Sequence, residues 1–432
     1  MNLHSHRRPG TRRLLNARVP VGLVHGLAVR ETDTATGLAL VDIGIDADGV
    51  VIAGEPCGET VDLHGRIVLP TFVDSHVHLD KAYIVRRTGL PAGGLPDAVR
   101  ASIADAPNRT PQDLETRMRR ALDSAYRHGT SAMRTHLDTP EMPMESAPWR
   151  VFDALRSEWR DRVALQAVAL MALERVESPD FVERCRQLAD LRGVLGAFIA
   201  PGTASPERLD ALFRHAGDAA LDVDFHVDET LDPAANGLEL IAESVLRTGF
   251  AGRVLAGHCC ALGAKQAGER DRILEKVAAA GIHIVALPNS NLFLQDRTPT
   301  STPLRRGLTT VREMRARGIA VHFASDNVQD PFFPFGDFDM LDVFRAAVGA
   351  AHLDRELGDW VERTFRDAAF ATGFEGHGRI APGRPADLVI FEASDWYDLL
   401  GQSQSNRLVC RGGALVHTSM SSLREKFAVE FS

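Results

Sequence analysis

The chain of 432 residues is long enough for one large α/β domain and a smaller second one. Its hydrophobic share of 44%, charged share of 25% and net charge of -9 are those of an ordinary globular protein and argue against the basic surface that a nucleic-acid partner needs. No apolar run reaches the length that crosses a membrane, so we expect neither nucleic acid nor a membrane as a partner.

The five cysteines have no C-x-x-C spacing and no disulfide-framework pattern; they are Cys57, Cys185, Cys259, Cys260 and Cys410. This usage is typical of free thiols in a reducing compartment, and it predicts a cytoplasmic protein. The basic segment 6–13 is not followed by an uninterrupted apolar run or a small-residue cleavage site. We therefore expect an arm that leads into a first strand.

Short β-type segments stand at both ends of the chain. They cover residues 18–29, 38–46, 50–52, 386–391 and 407–416. Turn signals such as Asp48-Gly49 separate the first of them. We interpret the two ends, residues 14–66 and 380–432, as one small β-sandwich domain.

Residues 67–379 alternate between apolar strand-like runs and amphipathic helical stretches. The runs end near His76, His136, Leu170, Ile199, His226, His258, Pro288 and Asp326. Helical spacing is clear at 111–128, 206–220, 238–248 and 269–280. Eight strands that alternate with helices predict a (β/α)8 TIM barrel, whose active site lies at the carboxyl ends of the strands.

The first barrel run, within residues 67–80, ends in two histidines one residue apart, His76 and His78. Side chains alternate along a strand, so both imidazoles point to the same face and can share one divalent metal. A bare His-x-His is more often a pair of surface histidines. The motif therefore depends on ligands from elsewhere in the chain.

Other strand ends supply such groups. His226 ends strand five and is followed by Glu229, His258 ends strand six, and Asp326 ends strand eight. A single histidine after a strand is usually packed or exposed. Because four strand ends meet at the same face of a barrel, their joint occurrence predicts a metal site.

His76, His78, His226 and Asp326 offer three neutral nitrogens and one carboxylate, a set that suits one divalent ion, Zn2+ or Fe2+. Such an ion lowers the pKa of bound water and makes hydroxide available. The end of strand four, residues 193–202, has no lysine that could be carboxylated to bridge two metals. We therefore expect one metal.

The remaining groups suggest how protons move. Asp326 can take a proton from the water, and Glu229 can carry one to the substrate and its leaving group. His258 can hydrogen-bond the hydroxide or the tetrahedral oxyanion, or it can support the metal ligands instead. The alternative for Glu229 is an exposed loop acid.

Six motifs, spread over nearly the whole chain, resemble those of the amidohydrolase superfamily and, within it, of the bacterial cytosine deaminase group. They are PTFVDSHVHLD (70–80), RTHLD (134–138), FHVDE (225–229), LQDR (294–297), ASDN (324–327) and DPFFPFG (330–336). The resemblance implies mononuclear hydrolytic deamination of a small nitrogen heterocycle. It also implies His76, His78, His226 and Asp326 as ligands, Glu229 as proton shuttle and His258 as the group on the nucleophilic water.

Two positions depart from the cytosine deaminases. Ala172 stands where that group has a glutamine that reads the amide edge of the pyrimidine, and Asn327 stands where it has a second aspartate. The ASDN motif is similar to that of the N-isopropylammelide aminohydrolases, which lack the carboxylate of Glu229. A smaller, less anionic wall predicts that cytosine is a poor substrate and that a 5-substituted cytosine, a fused ring or another aminated heterocycle is preferred.

Two further candidates for substrate contact are Phe332 and His136. Phe332 begins an aromatic loop, residues 332–338, that could cover a flat substrate or pack on the barrel rim. His136, with Asp138, could touch substrate or orient the metal ligands, and a hydrogen-bonded structural role is favoured.

The sequence thus predicts a metal-dependent hydrolytic deaminase that acts on a cytosine-like heterocycle and releases ammonia. Hydrolysis of a cyclic amide, a lactam or an N-substituted triazine on the same scaffold is the alternative, and a barrel that only binds ligand is a second one. The resemblance also suggests a homo-oligomer.

Overall fold

The computed structural model describes residues 10–54, 58–402 and 406–418. Residues 6–9 of the arm expected at 6–13, Cys57 and the last part of the predicted 380–432 segment lie outside the described residues. Within the described part of the chain, no helix combines the length and the apolar character needed to cross a membrane.

Seventeen strands are present within the described ranges. They are β1 (Arg12–Pro20), β2 (Val29–Asp33), β3 (Leu38–Ile45), β4 (Val51–Ile52), β5 (Glu59–Asp62), β6 (Val68–Pro70), β7 (Phe72–Val77), β8 (Thr130–Asp138), β9 (Ala164–Ala172), β10 (Val194–Ile199), β11 (Val223–Val227), β12 (Val254–His258), β13 (His283–Ala286), β14 (Val321–Phe323), β15 (Leu388–Phe391), β16 (Arg407–Arg411) and β17 (Ala414–Thr418).

The helices of the same ranges are α1 (Val85–Thr88), α2 (Leu95–Asp105), α3 (Pro111–His128), α4 (Ala147–Trp159), α5 (Phe181–Asp190), α6 (Pro206–Asp218), α7 (Gly237–Thr248), α8 (Ala267–Ala279), α9 (Pro288–Leu294), α10 (Val311–Ala316), α11 (Met340–Ala351), α12 (Leu357–Thr372) and α13 (Trp396–Gly401). The long ones begin where local chemistry allows. In α3, for example, Thr110 accepts from the backbone N–H of Asp113, Pro111 takes the first helical position, and Gly129 ends the helix at φ +97°.

Strands β7 to β14 form one parallel sheet in chain order. A parallel bridge between Val77 and Asp326 joins the eighth strand to the first, and the backbone N–H of Asp326 donates to the carbonyl of His76 at 2.8 Å. The Asp74 carboxylate adds a bond from the N–H of Ser325 at 3.0 Å. The sheet is therefore a closed (β/α)8 barrel, and the predicted fold class is confirmed.

The remaining strands form two small sheets. One has the order β2-β3-β1-β5 with β4 beside β3, and the other has the order β17-β16-β15-β6. Bridges between Val24 and Ile380 and between Val50 and Pro385 connect segments from the two chain ends. We propose the division into residues 14–66 with 380–432 and residues 67–379 as the domain organisation. Just inside that boundary, β6 pairs with β15 of the small sheet.

Two predicted strands differ in detail. The segment 18–29 is not one strand, because the chain leaves β1 at Pro20 and makes a 3-10 turn at Val21–Leu23 before β2. Pro20 has no N–H for a sheet hydrogen bond, which favours an end there. The apolar run at the start of the barrel is divided at Thr71, so that β6 enters the small sheet and β7 enters the barrel.

A charged cluster is buried inside the barrel beneath the strand ends. Arg134 on β8 donates to Asp224 on β11 at 2.9 Å and to Gln166 on β9 at 2.7 Å. His136 lies 3.2 Å from the other oxygen of Asp224. Burial raises the pKa of Asp224, but His136 and Arg134 outweigh it and hold that pKa below its usual value. Asp224 therefore remains ionised. The buried charges of Arg134 and Asp224 stabilise each other.

Arg134→Met should destabilise the protein strongly, because it leaves the Asp224 carboxylate buried without its cationic partner. Loss of one member of a buried ion pair costs about 3–5 kcal/mol of unfolding free energy. Chemical denaturation of the metal-free protein, followed by circular dichroism, measures the loss. Arg186→Met is the matched control at an exposed pair with Glu183 and should leave the midpoint near the parent value. Equal midpoints for the two variants would contradict the role given to Arg134.

Candidate active site

Four side chains meet at the carboxyl end of the barrel. The Nε2 atom of His226 lies 3.2 Å from Nε2 of His76 and 3.2 Å from Nε2 of His78. An oxygen of Asp326 lies 3.6 Å from Nε2 of His76 and 3.2 Å from Nε2 of His78. Two ligands of a tetrahedral zinc ion lie about 3.3 Å apart, so these four atoms are spaced as ligands of one ion.

The burial and ionisation of these residues also fit a cation. Both carboxylate oxygens of Asp326 are buried and have no hydrogen-bond partner among the described residues. Burial and neighbouring imidazoles lower the pKa values of His76 and His226 well below the usual value, so both rings are neutral and able to ligate. Burial raises the pKa of Asp326, but the neighbouring His78 and His258 keep it below its usual value.

The backbone is unusual at these strand ends. Asp326 and His258 have left-handed φ angles of +59° and +69°, which ordinary L residues seldom adopt. On β12, Gly257 approaches His76 so closely that a Cβ there would lie 3.2 Å from the ring. Left-handed residues and a close approach of the backbone to a neighbouring side chain are features often found at functional sites.

Glu229 and His258 lie next to this cluster. The Glu229 side chain is 6% exposed, and its carboxylate is 3.5 Å from Nδ1 of His258. Burial raises the pKa of Glu229 to about 7, against the opposing effect of His258. A carboxyl group of this pKa can accept and release a proton near neutral pH.

Asn291, in the first turns of α9, defines the tautomer of His258. Its Oδ1 lies 2.9 Å from Nδ1 of His258, and Glu229 is the other neighbour of that nitrogen. Because an amide oxygen can only accept, Nδ1 carries the proton, and Nε2 keeps its lone pair. Nε2 has no partner among the described residues. His258 in this form can accept a hydrogen bond from a water molecule.

A cavity of about 840 Å³ opens above the cluster. Of the predicted substrate contacts, Ala172, Asn327 and Phe332 line it, together with Glu229 and His258. A second cavity of about 510 Å³ shares Glu229 with the first. The volume is within the range of cavities that enclose ligands larger than a single small ring.

His136 lies elsewhere. Its ring is fully buried, its centroid is 3.9 Å from that of His76, and it is not part of the cavity wall. Its neighbour on the other side is Asp224 at 3.2 Å. The substrate contact suggested for His136 stays a prediction, and the position of the ring between His76 and Asp224 favours the role of a residue that supports His76.

The aromatic loop is divided between the two expected roles. Phe332 faces the cavity, whereas Phe333 and Phe335 pack against Phe293 with ring centroids 5.8 and 6.3 Å away. The buried Asp330 carboxylate holds the turn through the N–H groups of Phe332 and Phe333 at 2.8 and 3.1 Å.

Sequence reasoning missed three polar residues of the site. Lys81 and Arg109 line the cavity, and both pair with Asp138. Asn291 supports His258. The spacing of Lys81, three residues after His78 in a chain with four lysines, was a signal for the first. Asn291 follows strand seven within one helical turn, but Arg109 has no comparable local signal.

Comparisons with known proteins agree with this geometry. The model of the Amidohydrolase family matches residues 104–416. The pterin deaminase of Rhizobium rhizogenes is 40% identical over 420 residues, which are 95% of this chain and 95% of that protein. The chain belongs to the amidohydrolase family.

The chain is also similar to two proteins that act on other nitrogen heterocycles. The N-isopropylammelide isopropyl amidohydrolase of Pseudomonas sp. (strain ADP) is 25% identical, with 90% of this chain and 97% of that protein covered. A crystal structure of 5-methylcytosine deaminase from Klebsiella pneumoniae liganded with phosphonocytosine is 25% identical, with a TM-score of 0.79 and coverage of 94% and 98%. The chain is an amidohydrolase-family deaminase, a hydrolase that acts on carbon–nitrogen bonds, as the sequence predicts.

Purified amidohydrolase should carry about one divalent metal per chain, held by the four-ligand cluster. His76→Ala and Asp326→Ala should each lose both the metal and the activity, because three remaining ligands bind an ion more weakly. His64→Ala, at an exposed histidine, is the control. Elemental analysis and an ammonia-release assay on the same samples give the result. Two tightly held metals, or full turnover after complete chelation, would overturn the assignment.

Proposed function

We propose that this amidohydrolase deaminates a fused, pterin-like heterocycle and releases ammonia. The observation that carries the proposal is the cavity of about 840 Å³ above the four-ligand cluster, whose wall has Ala172 in place of a long polar side chain. A fused bicyclic ring fits within that space, and the small Ala172 side chain leaves room for its second ring. The 40% identity to a pterin deaminase supports the same substrate class.

In the proposed site, His76, His78, His226 and Asp326 hold one divalent ion. When bound, that ion supplies an activated water at neutral pH. The close approach of the four donor atoms and the unpaired carboxylate oxygens of Asp326 support this assignment.

The protein's own groups move the protons. Asp326 takes a proton from the attacking water, and His258 orients that water through the lone pair of Nε2. Glu229 gives its proton to the ring nitrogen beside the attacked carbon, then takes the proton of the newly formed hydroxyl group and passes it to the departing amine. The proton that Asp326 took from the water returns to Glu229 and restores both groups. A carbon–oxygen bond forms, the bond to the amino group breaks, and ammonia leaves. The buried, readily protonated carboxyl group of Glu229 suits this double task.

The alternative hydrolysis of an N-substituted triazine is less well supported, because Glu229 is present and faces the cavity. A 5-substituted cytosine remains the second candidate, in view of the likeness to the 5-methylcytosine deaminase structure. The two candidates differ in ring size, which makes them easy to separate.

Glu229→Gln should lower kcat by about 100-fold or more, because the amide keeps the shape of the side chain but cannot carry a proton. Metal content should stay at the parent level, since Glu229 is not among the four ligands. Glu207→Gln, on the first turn of α6, is a control for the change of acid to amide. Normal turnover by Glu229→Gln would refute the proton-shuttle role.

Steady-state kinetics on a panel of aminated rings tests the substrate class. Pterin should have the highest kcat/KM, a 5-substituted cytosine a lower one, and cytosine the lowest, because the single ring leaves the far part of the cavity unfilled. Ammonia release and metal content are measured on the same preparation. If cytosine has the highest kcat/KM of the panel, the inference from Ala172 and the cavity is wrong.

A further inference from the structure

The absence of a glutamine at position 172 leaves the proposed substrate without an obvious partner for its amide edge. In a 2-amino-4-oxo ring, an N–H group and a carbonyl stand side by side next to the amino-bearing carbon. A buried donor or acceptor without a partner is costly, so some residue of the wall should match this edge. Ala172 has no polar side-chain atom.

An ion pair on the same wall offers a donor for the ring carbonyl and an acceptor for the ring N–H. Lys81 and Asp138 both line the cavity, as does His78, three residues before Lys81. The ammonium of Lys81 contacts Oδ1 of Asp138, so that a donor and an acceptor lie within hydrogen-bond distance of each other.

Both members have bonding capacity to spare. The Lys81 ammonium has three N–H groups, and Asp138 is its single side-chain partner within hydrogen-bond distance among the described residues. Yet the Lys81 side chain is only 5% exposed, so its other donors are largely shielded from bulk water. The Asp138 side chain is 38% exposed, and each of its oxygens has a further lone pair.

The pair is held rigidly. Arg109 donates to the second oxygen of Asp138 at 3.1 Å and is itself tied to Ser102 at 2.6 Å. The carboxylate of Asp80 accepts from the backbone N–H of Asp138 at 2.9 Å, which joins the ends of the first two barrel strands. A recognition pair that is fixed before the substrate arrives loses little entropy on binding.

We propose that Lys81 and Asp138 read the amide edge of the substrate, with the ammonium donating to the ring carbonyl and the carboxylate accepting from the ring N–H. The inference rests on the proposed function and adds the feature that determines substrate specificity. A 4-amino ring has the opposite polarity at these two atoms: its amino group faces the ammonium, and its bare nitrogen faces the carboxylate. The pair therefore selects 2-amino-4-oxo rings over 2,4-diamino rings of the same shape.

The test compares pterin with 2,4-diaminopteridine on the metal-loaded enzyme. The parent should prefer pterin by about 100-fold or more in kcat/KM, since a site with buried polar groups strongly rejects a mismatched ring. Lys81→Met and Asp138→Asn should lower kcat/KM for pterin by about 10- to 100-fold, the loss of one hydrogen bond to a charged group. In both variants the preference for pterin should shrink to within a few-fold.

Lys265→Met is the matched control, because Lys265 is buried to a similar extent, pairs with Glu269 and lies outside the cavity wall. It should keep the parent preference. Metal content and unfolding midpoint are measured for each variant, so that a loss of structure is separated from a loss of recognition. If Lys81→Met does not fold, the parent's own preference decides: equal use of the two rings would overturn the proposal.

Calorimetric binding of both rings separates this inference from the proposed function. A parent that binds pterin far better than the diamino ring but does not deaminate it refutes the proposed function and supports the recognition pair. A parent that deaminates pterin but whose Lys81 and Asp138 variants keep the full preference refutes the recognition pair alone. Failure to bind pterin at all refutes both.

Discussion

Closure of the barrel is the contact on which the site depends. The N–H of Asp326 donates to the carbonyl of His76, and the same contact brings the Asp326 carboxylate within 3.2 Å of His78. Three imidazole nitrogens crowd against a buried carboxylate whose two oxygens have no hydrogen-bond partner among the described residues, and this arrangement is costly to the fold. A divalent cation would remove that cost, since it satisfies all four groups at once. The contact that closes the barrel therefore also sets the spacing of the four candidate ligands and, through that spacing, their affinity for a cation.

Two carboxyl groups of the site have opposite environments. Asp326 is kept ionised by neighbouring histidines, whereas burial raises the pKa of Glu229 to about 7. A pair of acids whose pKa values are pushed apart divides the tasks of an ionised ligand and a proton carrier. His258 connects them, because its Nδ1 faces Glu229 and Asn291 while its Nε2 remains available. The different burial of similar side chains is enough to assign different chemistry to each.

The cavity wall combines a loss and a gain relative to the cytosine deaminase pattern. Ala172 provides room but no hydrogen bond, whereas Lys81, Asp138 and Arg109 form a fixed polar surface on the same cavity. Neither the small residue at position 172 nor the polar surface alters the strands of the barrel below the cavity. The proposed recognition groups lie on strand ends and loops, so they can be exchanged while the proposed metal ligands and proton shuttle stay in place, which is how one scaffold can serve several related substrates.

The sequence by itself determined the eight strands, the ends of helices such as α3, and the residues His76, His78, His226 and Asp326 at the strand ends. Alternation, capping residues and the rule that active sites lie at carboxyl ends are local or general features, and they can be read without coordinates. Only the tertiary structure decided that His136 lies behind His76, that β6 leaves the barrel for the small sheet, and that Asn291 orients His258. It alone brought Lys81 and Arg109 to opposite oxygens of Asp138. These relations depend on distances between residues on different strands, which are far apart in the sequence. No repeating pattern in the sequence encodes such distances.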